Sequence, residues 1–236
     1  MKKTIIVFIV MIFLLTLTAC SGITNIKPDT AKSPQQELVD SSAVAVKIMR
    51  SNPDNRSLNY LLKHAKGVMI FPGIIKAGFL LAGEAGKGIM AAKDEDGSWS
   101  SPVFYNITGG SLGIQIGLQR SSVILVFMND RVLNSAIDSG LTLGVDAAIT
   151  AGSSSFNITA STKTIYSDIY CFASIEGVYA GIAMNGCVIT INKSSNQAYY
   201  NSDADPREIL LDRELDNPES NILKIALMTL SKNDFE

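Results

Sequence analysis

The chain has 236 residues, 47% of them hydrophobic, with 20 basic and 22 acidic side chains, a net charge of −2 and a single histidine. That length supplies one core of ordinary size, so one domain is expected. The mildly acidic balance argues against nucleic acid, whose phosphate backbone calls for a surplus of Lys and Arg.

The first residues have the order of an export signal. Lys2 and Lys3 give a positive start, residues 5–15 form a short apolar stretch, and small residues lead to Leu17-Thr18-Ala19-Cys20. A transmembrane helix needs about 20 apolar residues, and Lys27, Pro28 and Asp29 come too soon for that. A cysteine directly after such a segment looks like a lipobox. Residues 1–19 therefore read as a lipoprotein signal peptide and Cys20 as the acylated N-terminus of the mature chain, with an ordinary secretion signal as the alternative. Ser21 in place of an aspartate points to the outer membrane, with the domain facing the periplasm. Removing residues 1–19 takes away Lys2 and Lys3 and no acid, which moves the net charge from −2 to −4. Residues 20–33 are small, polar and proline-punctuated, the composition of a flexible tether, and residues 34–236 form the domain.

From Pro34 the pattern is helical: Leu38, Val39, Ser42, Val46 and Met49 share a face, with Glu37 and Asp40 early and Lys47 and Arg50 late. Ser51-Asn52-Pro53-Asp54 ends that helix, and a second runs over residues 58–65. The period then becomes strand-like. Gly67-Val68-Met69-Ile70-Phe71 is a short apolar strand closed by Pro72-Gly73, and Gly88-Ile89-Met90-Ala91-Ala92 leads into a hairpin turn at Asp94-Glu95-Asp96-Gly97. Residues 112–119 alternate, placing Leu112, Ile114, Ile116 and Leu118 on a buried face. Residues 123–128 are apolar throughout and read as a central strand buried on both faces. Asn129-Asp130 caps a helix to Ser139, with Gly140 as its stop. Strands are expected near 141–150, 156–161, 164–173, 177–183 and 187–192, and a last helix over 221–231. Together these give an α+β fold: an antiparallel, barrel-like sheet with short helices at the N-terminus, near 130–139 and at the C-terminus.

Most apparent catalytic motifs fail on context. Gly109-Gly110-Ser111-Leu112-Gly113 satisfies G-x-S-x-G, but a strand pattern follows instead of a helix, and the one histidine, His64, precedes the serine. Gly83-Glu84-Ala85-Gly86-Lys87-Gly88 lacks the Gly-Lys-Ser/Thr of a phosphate loop and reads as a tight connection between strands. Asp94-Glu95-Asp96-Gly97 has too few ligands for an EF-hand, and one histidine with two internal cysteines makes no zinc site. No enzyme, metal or cofactor is implied. Cys171 and Cys187 read as free thiols in apolar strands, a disulfide in an oxidising compartment being the alternative.

One charge feature stands out. Between residues 63 and 93 lie Lys63, Lys66, Lys76, Lys87 and Lys93 against a single acid, Glu84, interleaved with Phe71, Ile74, Ile75, Phe79 and Leu80. Lysines beside exposed apolar side chains hold anionic lipid, each worth about 1 kcal/mol; the plain alternative is a solvated rim over a core.

The same region carries a resemblance. Ala65-Lys66-Gly67-Val68-Met69-Ile70-Phe71-Pro72 and Lys76-Ala77-Gly78-Phe79 resemble the opening signature of the SYLF-domain family. Further blocks follow in order: Trp99-Ser100, Gly110-Ser111-Leu112-Gly113-Ile114-Gln115-Ile116-Gly117, Leu143-Gly144-Val145-Asp146-Ala147, Gly177-Val178-Tyr179-Ala180-Gly181, Asn196-Gln197-Ala198-Tyr199-Tyr200 and Pro206-Arg207-Glu208-Ile209-Leu210. The resemblance spans roughly residues 36–230. It implies a non-catalytic module that binds phospholipid, phosphoinositides included, and in some eukaryotic members actin. The partners expected are thus membrane phospholipid and the covalent lipid on Cys20. Lys66 and Lys76 would pair with headgroups, Lys63 and Lys87 assist, and Phe71, Ile74, Ile75 and Phe79 touch acyl chains or the headgroup boundary. The alternative is a scaffolding envelope protein whose lipid contact is Cys20 alone. The family commonly carries Pro-Val-Gly-Arg after Ala-Ala-Gly, where this chain has Gly152-Ser153-Ser154-Ser155-Phe156, so an arginine's role there does not transfer.

Overall fold

The computed structural model describes residues 32–152, 167–175, 178–179 and 184–228. The signal segment, Cys20, most of the tether, the strand expected at 156–161 and the last residues of the C-terminal helix lie outside them. Residues Lys32–Glu236 form one compact unit.

The first helices follow the expected caps and stripes. Helix α1 (Pro34–Ser51) starts where the Ser33 side chain accepts the Gln36 N–H at 3.1 Å, with Pro34 at the first helical position. It buries Val39, Ala43, Val46 and Met49. A 3₁₀ turn (Pro53–Asn55) leads to α2 (Arg56–His64), which buries Leu58, Leu61 and Leu62.

The sheet is built on two unusually long strands, β1 (Gly67–Ala92, 26 residues) and β2 (Val103–Phe127, 25 residues), paired antiparallel from Gly67↔Phe127 to Met90↔Val103. Their turn is the expected one, with Gly97 at φ 86°. Two expectations are corrected here. Pro72-Gly73 does not end a strand, and the Gly83–Gly88 stretch (residues 83–88) is not a connection; both run inside β1. Pro72, which has no N–H for the ladder, falls in the register shift between Phe71 and Ile74.

The 26-residue strand also doubles back on itself. The Lys93 N–H donates to the Lys66 carbonyl at 2.8 Å. A Cβ placed on Gly88 would lie 2.5 Å from the Ile70 carbonyl oxygen, and one on Gly86 3.2 Å from the Ile74 Cα. The start and end of β1 are therefore neighbours, and the β1–β2 ribbon is bent near its middle. A second register shift, between Phe79 and Leu81, marks the bend.

Short strands complete the sheet on the other edge of β2. Strand β5 (Ile169–Ile175) pairs with the end of β2 from Ser121 to Phe127, and β7 (Val188–Ile191) pairs with its start from Tyr105 to Thr108. Beyond them lie β3 (Leu141–Thr142) on β7, and both β4 (Ile149–Ala151) and β6 (Val178–Tyr179) on β5. Among the described strand pairs only β4–β5 is parallel. This mostly antiparallel sheet curls into a half-barrel.

Alternation then sorts side chains onto two cores. Met69, Phe71, Met90, Tyr105 and Leu125 pack with α3 (Asp130–Ser139) and α5 (Pro206–Leu210); Val68, Ile70, Ile89, Phe104 and Ile124 pack under α1, α2 and α6 (Asn221–Met228). Residues 123–127 are thus buried on both faces, as their apolar run predicts. Helix α3 begins and ends as read: Asn129 accepts the Val132 N–H and Gly140 sits at φ 76°. Helices α4 (Lys193–Tyr200) and α5 were not anticipated. Their signals were caps: Asn192 accepts the Ser195 N–H, and Asp205 with Glu208 forms a capping box. Leu118 departs from its expected burial and is 75% exposed.

All members of both core clusters fall within Lys32–Glu236, so this unit carries its own core and suits isolated expression. The closure of β1 gives a direct test. Gly88→Ala drives a methyl into the Ile70 carbonyl and the Phe71 ring, and is expected to lower unfolding free energy by about 2 kcal/mol or more. Urea denaturation of residues 32–236 measures it.

Candidate functional site

The five lysines do not form one patch. Lys63 and Lys66 sit where the ends of β1 meet; Lys66 pairs with Asp130 at 3.2 Å, and the Lys93 ammonium donates to the carbonyls of Leu62 and Lys63 at 3.2 and 2.8 Å. Burial, with the charge of Lys63 beside it, pulls the Lys93 pKa below the usual value. Lys87 lies six residues from that end and Lys76 ten, so roughly 20 and 33 Å along the strand separate the two groups.

The apolar residues divide as sharply. Phe71 is fully buried and Ile74 is 1% exposed, both in the core under α3. Neither can meet an acyl chain at the surface, which corrects that part of the expectation. Ile75, the next residue along, is 51% exposed. Phe79 pairs with Ile116 through its backbone; its side chain is outside the described ones.

What the fold does bring together is a groove of about 730 Å³ between the first turns of α1 and the adjoining face of the ribbon. Ile75, Lys87 and Arg120 line the sheet side, and Glu37, Leu38 and Ser41 line the helix side. Ile75 stands opposite Arg120 in register, and Ala77 opposite Leu118, so these four share one face. Arg120 also borders a second hollow of about 250 Å³ beside Ile48 and Met49. Its guanidinium lies over Gly73, where a Cβ would come within 2.9 Å of Nη2. Lys87 and Arg120 have no ion pair among the described residues. The groove is thus amphiphilic: two uncompensated cations and one acid among exposed apolar side chains. Arg120 was overlooked in the sequence, although it is the only charged residue between positions 109 and 128.

Comparison with known proteins now places this arrangement. Residues 108–229, more than half of the chain, match the family described as Ysc84, Las17-binding protein actin regulator. The chain belongs to the Ysc84 family, the SYLF-domain proteins. Its relatives include protein YSC84 of Saccharomyces cerevisiae, 28% identical over 205 residues that cover 81% of this chain and 42% of the relative. Human SH3 domain-containing YSC84-like protein 1 is 29% identical over 163 residues, covering 68% and 47%. LAS seventeen-binding protein 3 of Saccharomyces cerevisiae is 28% identical over 158 residues, covering 65% and 34%. This SYLF chain therefore spans less than half the length of these relatives; the family description names a Las17-binding actin regulator, and one relative is named for binding LAS seventeen.

The opposite face of the SYLF ribbon carries a thiol. Cys187 donates to Glu84 Oε1 at 2.9 Å, and Gly109, the register partner of Glu84, leaves the room for it: a Cβ there would lie 2.7 Å from Sγ. Burial, then the hydrogen bond and charge of Glu84, push the Cys187 pKa up to about 12, against the pull of Lys76. Burial alone does the same for Cys171. Both cysteines are free and buried, as read from their strands, and both stay neutral and unreactive at ordinary pH. The G-x-S-x-G match lies wholly inside β2, so it forms no strand–turn–helix elbow. Among the described residues no cluster could hold a metal ion, and no helix is long and apolar enough to cross a membrane.

The thiols set a pH dependence. The folded chain keeps two protons, up to about pH 12, that the unfolded chain releases near pH 9. Fewer protons on the unfolded state means stability falls as pH rises from about 9 towards 12. The urea midpoint is expected to drop between about pH 8 and about pH 10.5, and to drop less in Cys171→Ala/Cys187→Ala; an equal drop in both proteins would contradict this.

Proposed function

We propose that this chain is a bacterial lipoprotein whose SYLF domain binds anionic phospholipid without catalysis, held to the outer membrane through Cys20 and facing the periplasm. The observation that carries the reading is the pair of uncompensated cations, Lys87 and Arg120, beside exposed Ile75 and Leu118 on one face of the ribbon. Cations near an anionic surface contribute about 1 kcal/mol each, and exposed apolar side chains gain by leaving water. Lys76 adds charge from the ribbon's other face. Lys63 and Lys66, at the far end, contribute less, and Lys66 is already paired with Asp130. Two such contacts alone are weak, but acyl chains on Cys20 would hold the groove at high effective concentration near the bilayer.

Names of relatives favour a second reading, in which the same groove receives a protein partner: the family is described as Las17-binding, and one relative as LAS seventeen-binding protein 3. Vesicle flotation of residues 32–236 separates the two. Retention on vesicles containing phosphatidylglycerol, lost at high salt and reduced at least tenfold by Lys87→Glu/Arg120→Glu, supports lipid binding. No retention on any vesicle assigns the groove to a protein and leaves Cys20 as the lipid contact. Mass spectrometry of the N-terminal peptide from a bacterial host tests the anchor: acylation at Cys20, abolished by Cys20→Ala.

A further inference from the structure

The groove beside α1 has a polar end and an apolar end. We infer that it takes up one phospholipid molecule, with the phosphate and a hydroxylated headgroup on the sheet and an acyl chain along α1; this rests on the lipid reading above and adds to it a seat for the chain.

Register builds the polar end. Lys87 stands opposite Asn106 on β2, and Asn106 opposite Thr190 on β7, so three neighbouring strands set these side chains in one row of the groove floor, at roughly 4.8 Å intervals. Thr108 lines the same floor. Asn192 Nδ2 donates to Asn106 Oδ1 at 3.0 Å, so what Asn106 has left to offer a ligand is its NH₂. With Arg120, the row gives an ammonium, a guanidinium, an amide NH₂ and two hydroxyls around one space, and the one acid of the lining, Glu37, lies across on α1. All of the former can donate to phosphate oxygens, and the neutral ones also match hydroxyl groups.

Helix periodicity builds the apolar end. Leu38, Ser41, Ala45 and Ile48 recur at spacings of three and four, which makes them one stripe of α1, about 15 Å long. The first two line the groove and the last two the hollow of about 250 Å³, while Arg120 borders both. Met49 and three serines complete the hollow, and of these Ser122 already donates to the Pro72 carbonyl at 2.9 Å. Ile48 is left 53% exposed and Ile75 51%. Arg120 therefore stands at the junction of the two ends, where a phospholipid carries its phosphate next to the start of its chains. A free polyol phosphate would satisfy the row and leave Ile48 in water; a fatty chain alone would do the reverse. At roughly 30 Å³ for a methylene-sized group, the hollow holds about eight.

Monomeric ligands test the seat apart from the membrane. Calorimetry of residues 32–236 uses single-chain phosphatidylglycerols of increasing chain length, below their micelle concentrations, with glycerol 3-phosphate as the headgroup alone. Affinity is expected to rise at least twofold per added methylene, full burial being worth about fourfold, and to level off once the chain fills the hollow, at about eight carbons. Ile48→Asn should flatten the series and leave glycerol 3-phosphate binding and vesicle flotation unchanged, whereas Lys87→Glu/Arg120→Glu should weaken every member at least tenfold. Equal affinity at all chain lengths, a rise that Ile48→Asn does not alter, or no monomer binding by a protein that floats on vesicles overturns the acyl seat alone. A protein that binds no monomer and floats on no vesicle overturns the lipid reading as well.

Discussion

Close approach of one strand to itself governs this molecule. The carbonyl of Ile70 and the backbone at Gly88 come within a distance that no side chain at 88 would allow, and the Lys93–Lys66 hydrogen bond seals the same seam. Without that seam the ribbon would be a flat hairpin some 25 residues long. With it, the sheet curls around one core and leaves the other under the helices. The bend, the exposed face of Ile75 and Leu118, and the groove against α1 all follow from where the seam stops.

Strand alternation decides which residues serve the surface. Phe71 and Ile74 straddle the Pro72-Gly73 irregularity and both end in the core, because the register shift there resets the face. Ile75 is thereby sent outward beside Arg120. Gly73 then does a second service, since its missing side chain leaves space for the guanidinium. A bulge, a glycine and an arginine 47 positions later thus form one device.

Much of the fold was legible because local signals agreed with tertiary ones. Ser33-Pro34, Asn129-Asp130 and Gly140 marked helix ends, and the unbroken apolar run at 123–127 announced burial on both faces. Long-range pairing was not legible. Nothing near Pro72 or at Gly83, Gly86 and Gly88 says that these residues lie within a strand; Gly86 and Gly88 answer to backbone 12 and 18 residues away, at Ile74 and Ile70, not to their neighbours. The lysine patch failed for the same reason: residues close in sequence were carried apart along an extended strand, while Lys87 and Arg120, paired to Asn106 and Ile75 on different arms of the ribbon, came to line one groove. The short helices α4 and α5 were hidden by weak apolar periodicity, although their caps were in plain view.

The nesting of β1 against β2 also orders assembly in time. Met90 and Val103 stand 13 apart in sequence, whereas Gly67 and Phe127 stand 60 apart. Loop entropy grows with that span, so the ladder zips outward from the Asp94-Glu95-Asp96-Gly97 turn. The seam between Ile70 and Gly88 needs both halves of β1 laid down, and closes only after the zipper has passed the bend. Until then the charge-free middle is a long open hairpin with nothing beside it. The stretch on which the seam depends is therefore also the part of the chain most in need of shelter while it folds.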